Sequence, residues 1–179
     1  KGQKYYISNI NSPKQTVISV QNGDIESIKS FLNKNSIRFR QLDIPQPYHT
    51  GLLSIVESKI SELLEIRPIR IETPRIPFFS SVSKKLIDNK NFNAEDIKKI
   101  ISKQIVTPVD FIHQIKKICS YDFNNFVEVG PRDVLSSFIK DINIKKTIKL
   151  YPATFKLTHL TGDNFKQQIE AHNIAYDTQ

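Results

Sequence analysis

The chain has 179 residues and a formal net charge of +8, with 26 Lys and Arg against 18 Asp and Glu. Its 39% hydrophobic content suits a globular protein, and it has neither an apolar run near the roughly 20 residues that cross a bilayer nor a secretory signal pattern behind Lys1. Cys119 is the one cysteine, which excludes an internal disulfide and a cysteine-based metal site and suits a reducing, cytoplasmic setting.

Tyr5–Ile7 and Thr16–Val20, rich in aromatic and β-branched residues, predict two strands joined through the turn chemistry of Asn9–Gln15. A helix follows over Asp24–Asn35, with Asp24 as N-cap and Ile25, Ile28, Phe31 and Leu32 on one face. Ile37–Ile44 alternates apolar and polar residues and predicts a half-buried strand. These elements make a small α+β unit open to completion by elements outside the chain. After the turn Pro45–Gly51, the segment Leu52–Ile66 predicts a helix with a wide apolar stripe from Leu52 and Leu53 to Leu63 and Leu64, stopped by Pro68. Ile76–Ser83 reads as a short buried strand ending in a serine-rich turn. Asn93–Ile105 reads as a helix capped by Asn93, with Glu95 and Asp96 in the first turn where acids suit the dipole. A further helix is expected to begin around Pro108 and run to Tyr121. Asn124–Gly130 predicts a strand, Arg132–Ile142 a helix, Thr147–Leu157 a strand region, and Gly162–Gln179 a weaker terminal helix. From Ile76 to Ile142 this order fits part of a layered α/β domain.

The basic residues are spread in pairs, Lys84-Lys85, Lys98-Lys99, Lys116-Lys117 and Lys145-Lys146, each beside an amphipathic segment, as solvated faces are. Nothing resembling an RNA-binding aromatic signature accompanies them, so no nucleic-acid partner is expected. An acidic protein partner would still be drawn to such a surface. Of the four histidines, His113 sits on an amphipathic helix, and His159 and His172 lie in the tail; no metal-ligand spacing links any of them. His49, in a loop before a helix, reads by itself as a turn or capping neighbour.

Four local patterns alter the reading of His49. They are Ser-Asn-Ile-Asn-Ser-Pro-Lys-Gln-Thr-Val-Ile-Ser (8–19), Pro47-Tyr48-His49, Lys-Gln-Ile-Val-Thr-Pro-Val-Asp-Phe (103–111) and Phe-Val-Glu-Val-Gly-Pro-Arg-Asp-Val-Leu (126–135). In this order they resemble the malonyl-CoA:acyl-carrier-protein transacylase family, which includes the acyltransferase domains of polyketide and fatty-acid synthases. The resemblance covers the second half of that family's domain. It implies part of an α/β-hydrolase-like large subdomain with a small ferredoxin-like subdomain. Residues 1–45 would belong to the small subdomain, 46–145 to the C-terminal part of the large one, and 146–179 to a linker or extension.

By position, His49 matches the family's catalytic histidine, and Gln104 matches the residue whose main-chain carbonyl orients that ring. Tyr48, Asn9 and Asn11 match substrate-lining positions, although turn formation accounts for Asn9 and Asn11 equally well. The reaction implied is loading of malonyl or a related acyl group from CoA onto the phosphopantetheine thiol of an acyl carrier protein, with no bound cofactor or metal. Other synthase domains on the same polypeptide are further candidate partners, and no membrane partner is expected. Gln46-Pro47-Tyr48-His49 departs from the family's His-Ala-Phe-His and Tyr-Ala-Ser-His. A bulky Tyr48 would crowd an α-methyl group, a discrimination of about 1–3 kcal/mol that favours malonyl. Val20 and Arg132 replace family glycines at turns.

The family's nucleophile sits in a Gly-His-Ser-x-Gly elbow. None of the five glycines here flanks a serine in that way. The elbow and the carboxylate-binding arginine are therefore expected in an N-terminal half outside these residues, which the absence of any methionine also suits. Two other readings remain at this point: an acyl-carrier-protein hydrolase of the same fold, and a non-enzymatic basic α/β binding module.

Overall fold

The computed structural model describes residues 5–67, 69–130 and 132–152. Contacts divide the chain into two compact units, Lys1–Ile118 and Cys119–Gln179, and both mix helix with sheet. Pro68, the terminal helix expected over Gly162–Gln179, and His159 and His172 lie outside the described residues.

In the first unit, β1 (Tyr5–Ser12) and β2 (Gln15–Val20) form the expected hairpin, paired antiparallel from Tyr5 opposite Val20 to Ser12 opposite Gln15. It is longer than the apolar pattern alone indicated, because the polar residues Asn9–Ser12 continue the ladder. The register shifts between Ile7 and Asn9, leaving Ser8 as a bulged residue. Its buried hydroxyl is partnered by that of Ser19 at 2.7 Å. A short strand, β5 (Val109–Asp110), adds to the other edge of β1 in parallel, so the sheet order is β2-β1-β5. Sequence pattern placed those two residues in a helix. Instead α4 (Phe111–Ser120) starts after them, where the Asp110 carboxylate accepts the His113 N–H at 2.9 Å.

Helix α1 (Ile25–Lys34) follows β2, with Asp24 at the capping position but making no side-chain cap bond. Residues 37–44, expected as a strand, carry none. Alternation specifies which face a strand would bury, but a strand also requires a ladder partner. Without one here, Ile37, Phe39, Leu42 and Ile44 stay exposed.

Helix α2 (Ser54–Ile66) packs against α3 (Ala94–Lys103). Only Leu53 and Leu64 of the expected stripe are buried, while Leu52, Val56 and Leu63 remain exposed. Asn93 caps α3 as predicted, its Oδ1 accepting from the N–H groups of Glu95 at 2.9 Å and Asp96 at 3.4 Å. Lys98 then ties the two helices, reaching Glu95 at 2.9 Å and Glu65 at 3.8 Å. The strand expected over Ile76–Ser83 is the first arm of a two-stranded hairpin, β3 (Phe78–Ser80) with β4 (Lys85–Ile87), and Ile76 and Phe78 are exposed rather than buried. The second arm was hidden by its lysines.

The second unit holds β6 (Asn125–Glu128), α5 (Val134–Asp141) and β7 (Lys149–Pro152). The two strands are parallel, with Asn125 opposite Lys149, and α5 is the crossover between them. Arg132, at a family glycine, has φ 69°, a left-handed conformation that costs an L-residue about 1–2 kcal/mol. Asp133 occupies the α5 cap position without making a cap bond. Glu128 does that work from the preceding strand: Oε1 accepts the Leu135 N–H at 2.9 Å and Oε2 the Ser136 N–H at 2.8 Å. Burial pushes the Glu128 carboxyl up, but the bonds from Ser136, Leu135 and Val134 together outweigh it and hold the carboxyl below its ordinary range. A depressed carboxylate stabilises the fold above its unfolded pKa, and that contribution is lost as pH falls through the folded value. Glu128→Ala should therefore destabilise the chain by about 2 kcal/mol at neutral pH, as charged hydrogen bonds do. Urea denaturation should show the gap between variant and parent closing as pH falls through the lowered value of this carboxyl.

Among the described residues, no helix is long and apolar enough to cross a membrane. Among the same residues, no group of three or more His, Cys, Asp or Glu is arranged to hold a metal ion.

Candidate active site

The turn between residues 37–44 and α2 is fixed at three points. The buried Thr50, 2% exposed, donates its hydroxyl to the Pro47 carbonyl at 2.7 Å. Tyr48 N–H closes a tight turn onto the Gln46 carbonyl at 2.9 Å. His49 takes φ 63°, a left-handed value that histidine adopts more readily than most residues but that still requires support from its surroundings.

That support comes from the C-terminal end of α3. The last carbonyls of a helix have no intrahelical donors, and here His49 uses two consecutive ones just past the helix. Its backbone N–H donates to the Ile105 carbonyl at 2.7 Å, and its ring Nδ1 lies 3.0 Å from the Gln104 carbonyl oxygen. A peptide oxygen can only accept, so Nδ1 carries the proton in this bond. In the neutral ring Nε2 then keeps its lone pair, the form in which an imidazole removes a proton from another group. Ring orientation and tautomer are thus set by one neutral acceptor, with no carboxylate involved. The Gln104 side chain contributes nothing to this contact; its peptide group does.

The remaining site residues divide. Tyr48 adjoins His49 and is 45% exposed. Asn9 lies in the middle of β1, in register with Val109 of the segment that follows α3. Asn11 is engaged within the hairpin, its Nδ2 donating to Gln15 Oε1 at 2.7 Å. This is the turn-stabilising role open to it from sequence. Two contributors escaped sequence reasoning. The Ile105 carbonyl leaves no trace in side-chain pattern. Thr50 could have been found, because a hydroxyl residue three positions after Pro47 has the spacing to close a turn.

Comparison with known proteins gives a consistent picture. No family model matches the chain. A malonyl CoA-acyl carrier protein transacylase of Bacillus subtilis is 30% identical over 160 residues, 88% of this chain and 49% of that protein. A probable polyketide synthase of Dictyostelium discoideum is 29% identical over 171 residues, 92% of this chain and 6% of that protein. Among solved structures, a malonyl transacylase in complex with the acyl-carrier protein of a type II polyketide synthase superposes with a TM-score of 0.76 at 22% identity, covering 96% of this chain and 51% of that one. The malonyl CoA-acyl carrier protein transacylase of Coxiella burnetii superposes with a TM-score of 0.68 at 26% identity, over 84% of this chain and 46% of that one. The chain spans about half the length of the transacylases it matches.

Proposed function

We propose that this chain, which matches the malonyl-CoA:acyl-carrier-protein transacylases over about half their length, supplies the general base of an acyl-transfer site whose serine lies on the other half. On this reading residues 1–45 belong to the small ferredoxin-like subdomain, 46–145 to the large α/β-hydrolase-like one and 146–179 to a linker or extension, the first part of which pairs with β6 as β7. The observation that carries it is the 3.0 Å contact between His49 Nδ1 and the Gln104 carbonyl, made by residues on two of the four segments that resemble the family.

His49 Nε2 would accept the serine Oγ proton as that oxygen attacks the thioester carbonyl of malonyl-CoA or a related acyl-CoA. When the carbon–sulfur bond breaks, the same proton passes to the departing CoA thiolate. The second half reverses the roles. Nε2 takes the proton of a carrier-protein phosphopantetheine thiol, the sulfur attacks the serine ester, and the proton returns to serine as the ester bond breaks. A neutral acceptor on Nδ1 leaves the pair uncharged before reaction, so the imidazolium forms only while a negative charge develops opposite it. Tyr48, beside the base, would favour malonyl over an α-methyl donor. Asn9 and Asn11 would contribute through the β1 edge near β5 and through the hairpin.

The orienting role is testable because it belongs to a peptide group. Gln104→Ala keeps the carbonyl and should leave serine acylation in the full-length protein unchanged. Gln104→Pro removes the N–H that donates to the Ile100 carbonyl at 3.1 Å and drives Lys103 out of helical geometry, displacing the carbonyl. A displacement of about 1 Å should cost roughly 100-fold in acylation rate. Rapid-quench acylation rates, with circular dichroism to check folding, would decide. Equal rates for the parent and the proline variant would remove Gln104 from the mechanism.

A further inference from the structure

The groove between β4 and α3 takes no part in the chemistry above, and its lining is unusual for a surface of this chain. Its floor is apolar, built from Leu86, Ile97 and Ile100, while Lys85, Lys99 and Lys103 stand around it. Asp96 is the one carboxylate in the lining and pairs with Lys99 at 3.7 Å. Lys85 and Lys103, both exposed, have no ion-pair partner among the described residues. Lys98 is turned away, being held by Glu95 and Glu65.

We infer, resting on the acyl-transfer reading, that this groove docks an acidic amphipathic helix of the acyl carrier protein. An apolar floor with a cationic rim complements a helix that carries apolar residues on one face and carboxylates beside them. A nucleic acid is the poorer fit, because no aromatic side chain lines the groove for bases to stack on. A free phosphate would gain nothing from the isoleucine and leucine floor. Placement favours the same occupant. Asn93, Asp96, Ile97, Ile100 and Lys103 lie at helical spacing, so the groove follows the full length of α3, about 15 Å. It ends at Lys103, next to the Gln104 carbonyl that holds the His49 ring. A carrier helix seated there brings its thiol-bearing arm to the same end of α3 as the base.

The test uses the full-length protein, malonyl-CoA and an acyl carrier protein, with acyl-enzyme formation and transfer to the carrier measured separately. Lys85→Glu with Lys103→Glu should raise the KM for the carrier protein about tenfold at low salt, and added salt should narrow the difference. The neutral pair Lys85→Gln with Lys103→Gln should give a smaller rise. Lys34→Glu with Lys59→Glu, an equal charge change elsewhere, should not raise it. If the groove and control variants behave alike while the parent transfers acyl groups, the groove assignment falls and the acyl-transfer reading stands. If the parent forms no acyl-enzyme, or forms one that no carrier protein discharges, the reading beneath it falls too. Salt-sensitive binding of a single-stranded oligonucleotide, lost in the groove variant alone, would overturn the assignment in favour of nucleic acid.

Discussion

His49→Ala in the full-length protein should slow acyl-enzyme formation by about 10²–10⁴-fold, the range lost with a general base. The ring is half-buried, and its removal opens no core cavity, so the loss should appear in the rate without a matching fall in stability. One complication has to be separated. His49 sits at φ 63°, where alanine is disfavoured, and a backbone shift could slow the reaction by itself. His49→Asn resolves this, because asparagine tolerates the left-handed region and has no basic ring nitrogen. Equal losses in the two variants would place the effect on the imidazole. Recovery in the asparagine variant would place it on the backbone, and parental rates in both would exclude His49 as the base.

How far the sequence could be read depended on the range of the interaction involved. Asn93 was legible as a cap because its two partners lie two and three residues ahead, within one turn. The β1–β2 hairpin was legible for the same reason, both arms and the turn being adjacent. The Glu128 cap of α5 is of the same short range, since its acceptors and the N–H groups of Leu135 and Ser136 belong to one strand–turn–helix passage. Residues 37–44 failed because periodicity describes side chains and says nothing of whether a second backbone is available to pair. Val109–Asp110 failed in the opposite sense. A two-residue strand has no period, and only the arrival of β1 beside it defines it.

The site follows the same division. Nothing in the pattern around Pro47–Gly51 leads to Gln104, and the two positions are 55 residues apart. Their association was open to sequence reading only through the resemblance of both segments to one family. Thr50 and the Ile105 carbonyl also hold the turn that presents the ring; Thr50 lies outside the four matched segments, and Ile105 lies within one but contributes through its main chain. Main-chain acceptors are the hardest functional groups to read in advance, because every residue has one and no side chain marks the one in use.

The 179 residues alone, incubated with malonyl-CoA, should form no acyl ester, and intact-mass spectrometry would check this. An acylating serine must be held out on a strained strand-to-helix turn, which the family builds with flanking glycines. Among the described residues no glycine adopts positive φ, and Gly51 and Gly130 neighbour no serine nucleophile of that kind. The one thiol offers no substitute: Cys119 is buried, and burial pushes its thiol up despite the opposing charge of Lys146, which keeps it protonated and inert. Among the described residues, His49 has its orienting carbonyl but no hydroxyl hydrogen-bonded to its ring. An ester found on the isolated chain would reveal a different nucleophile, and the two-half account of the site would have to be abandoned. If none forms, and adding the elbow-bearing half in trans restores an ester that His49→Ala then suppresses, the base and the nucleophile are shown to reside on separate halves of one fold.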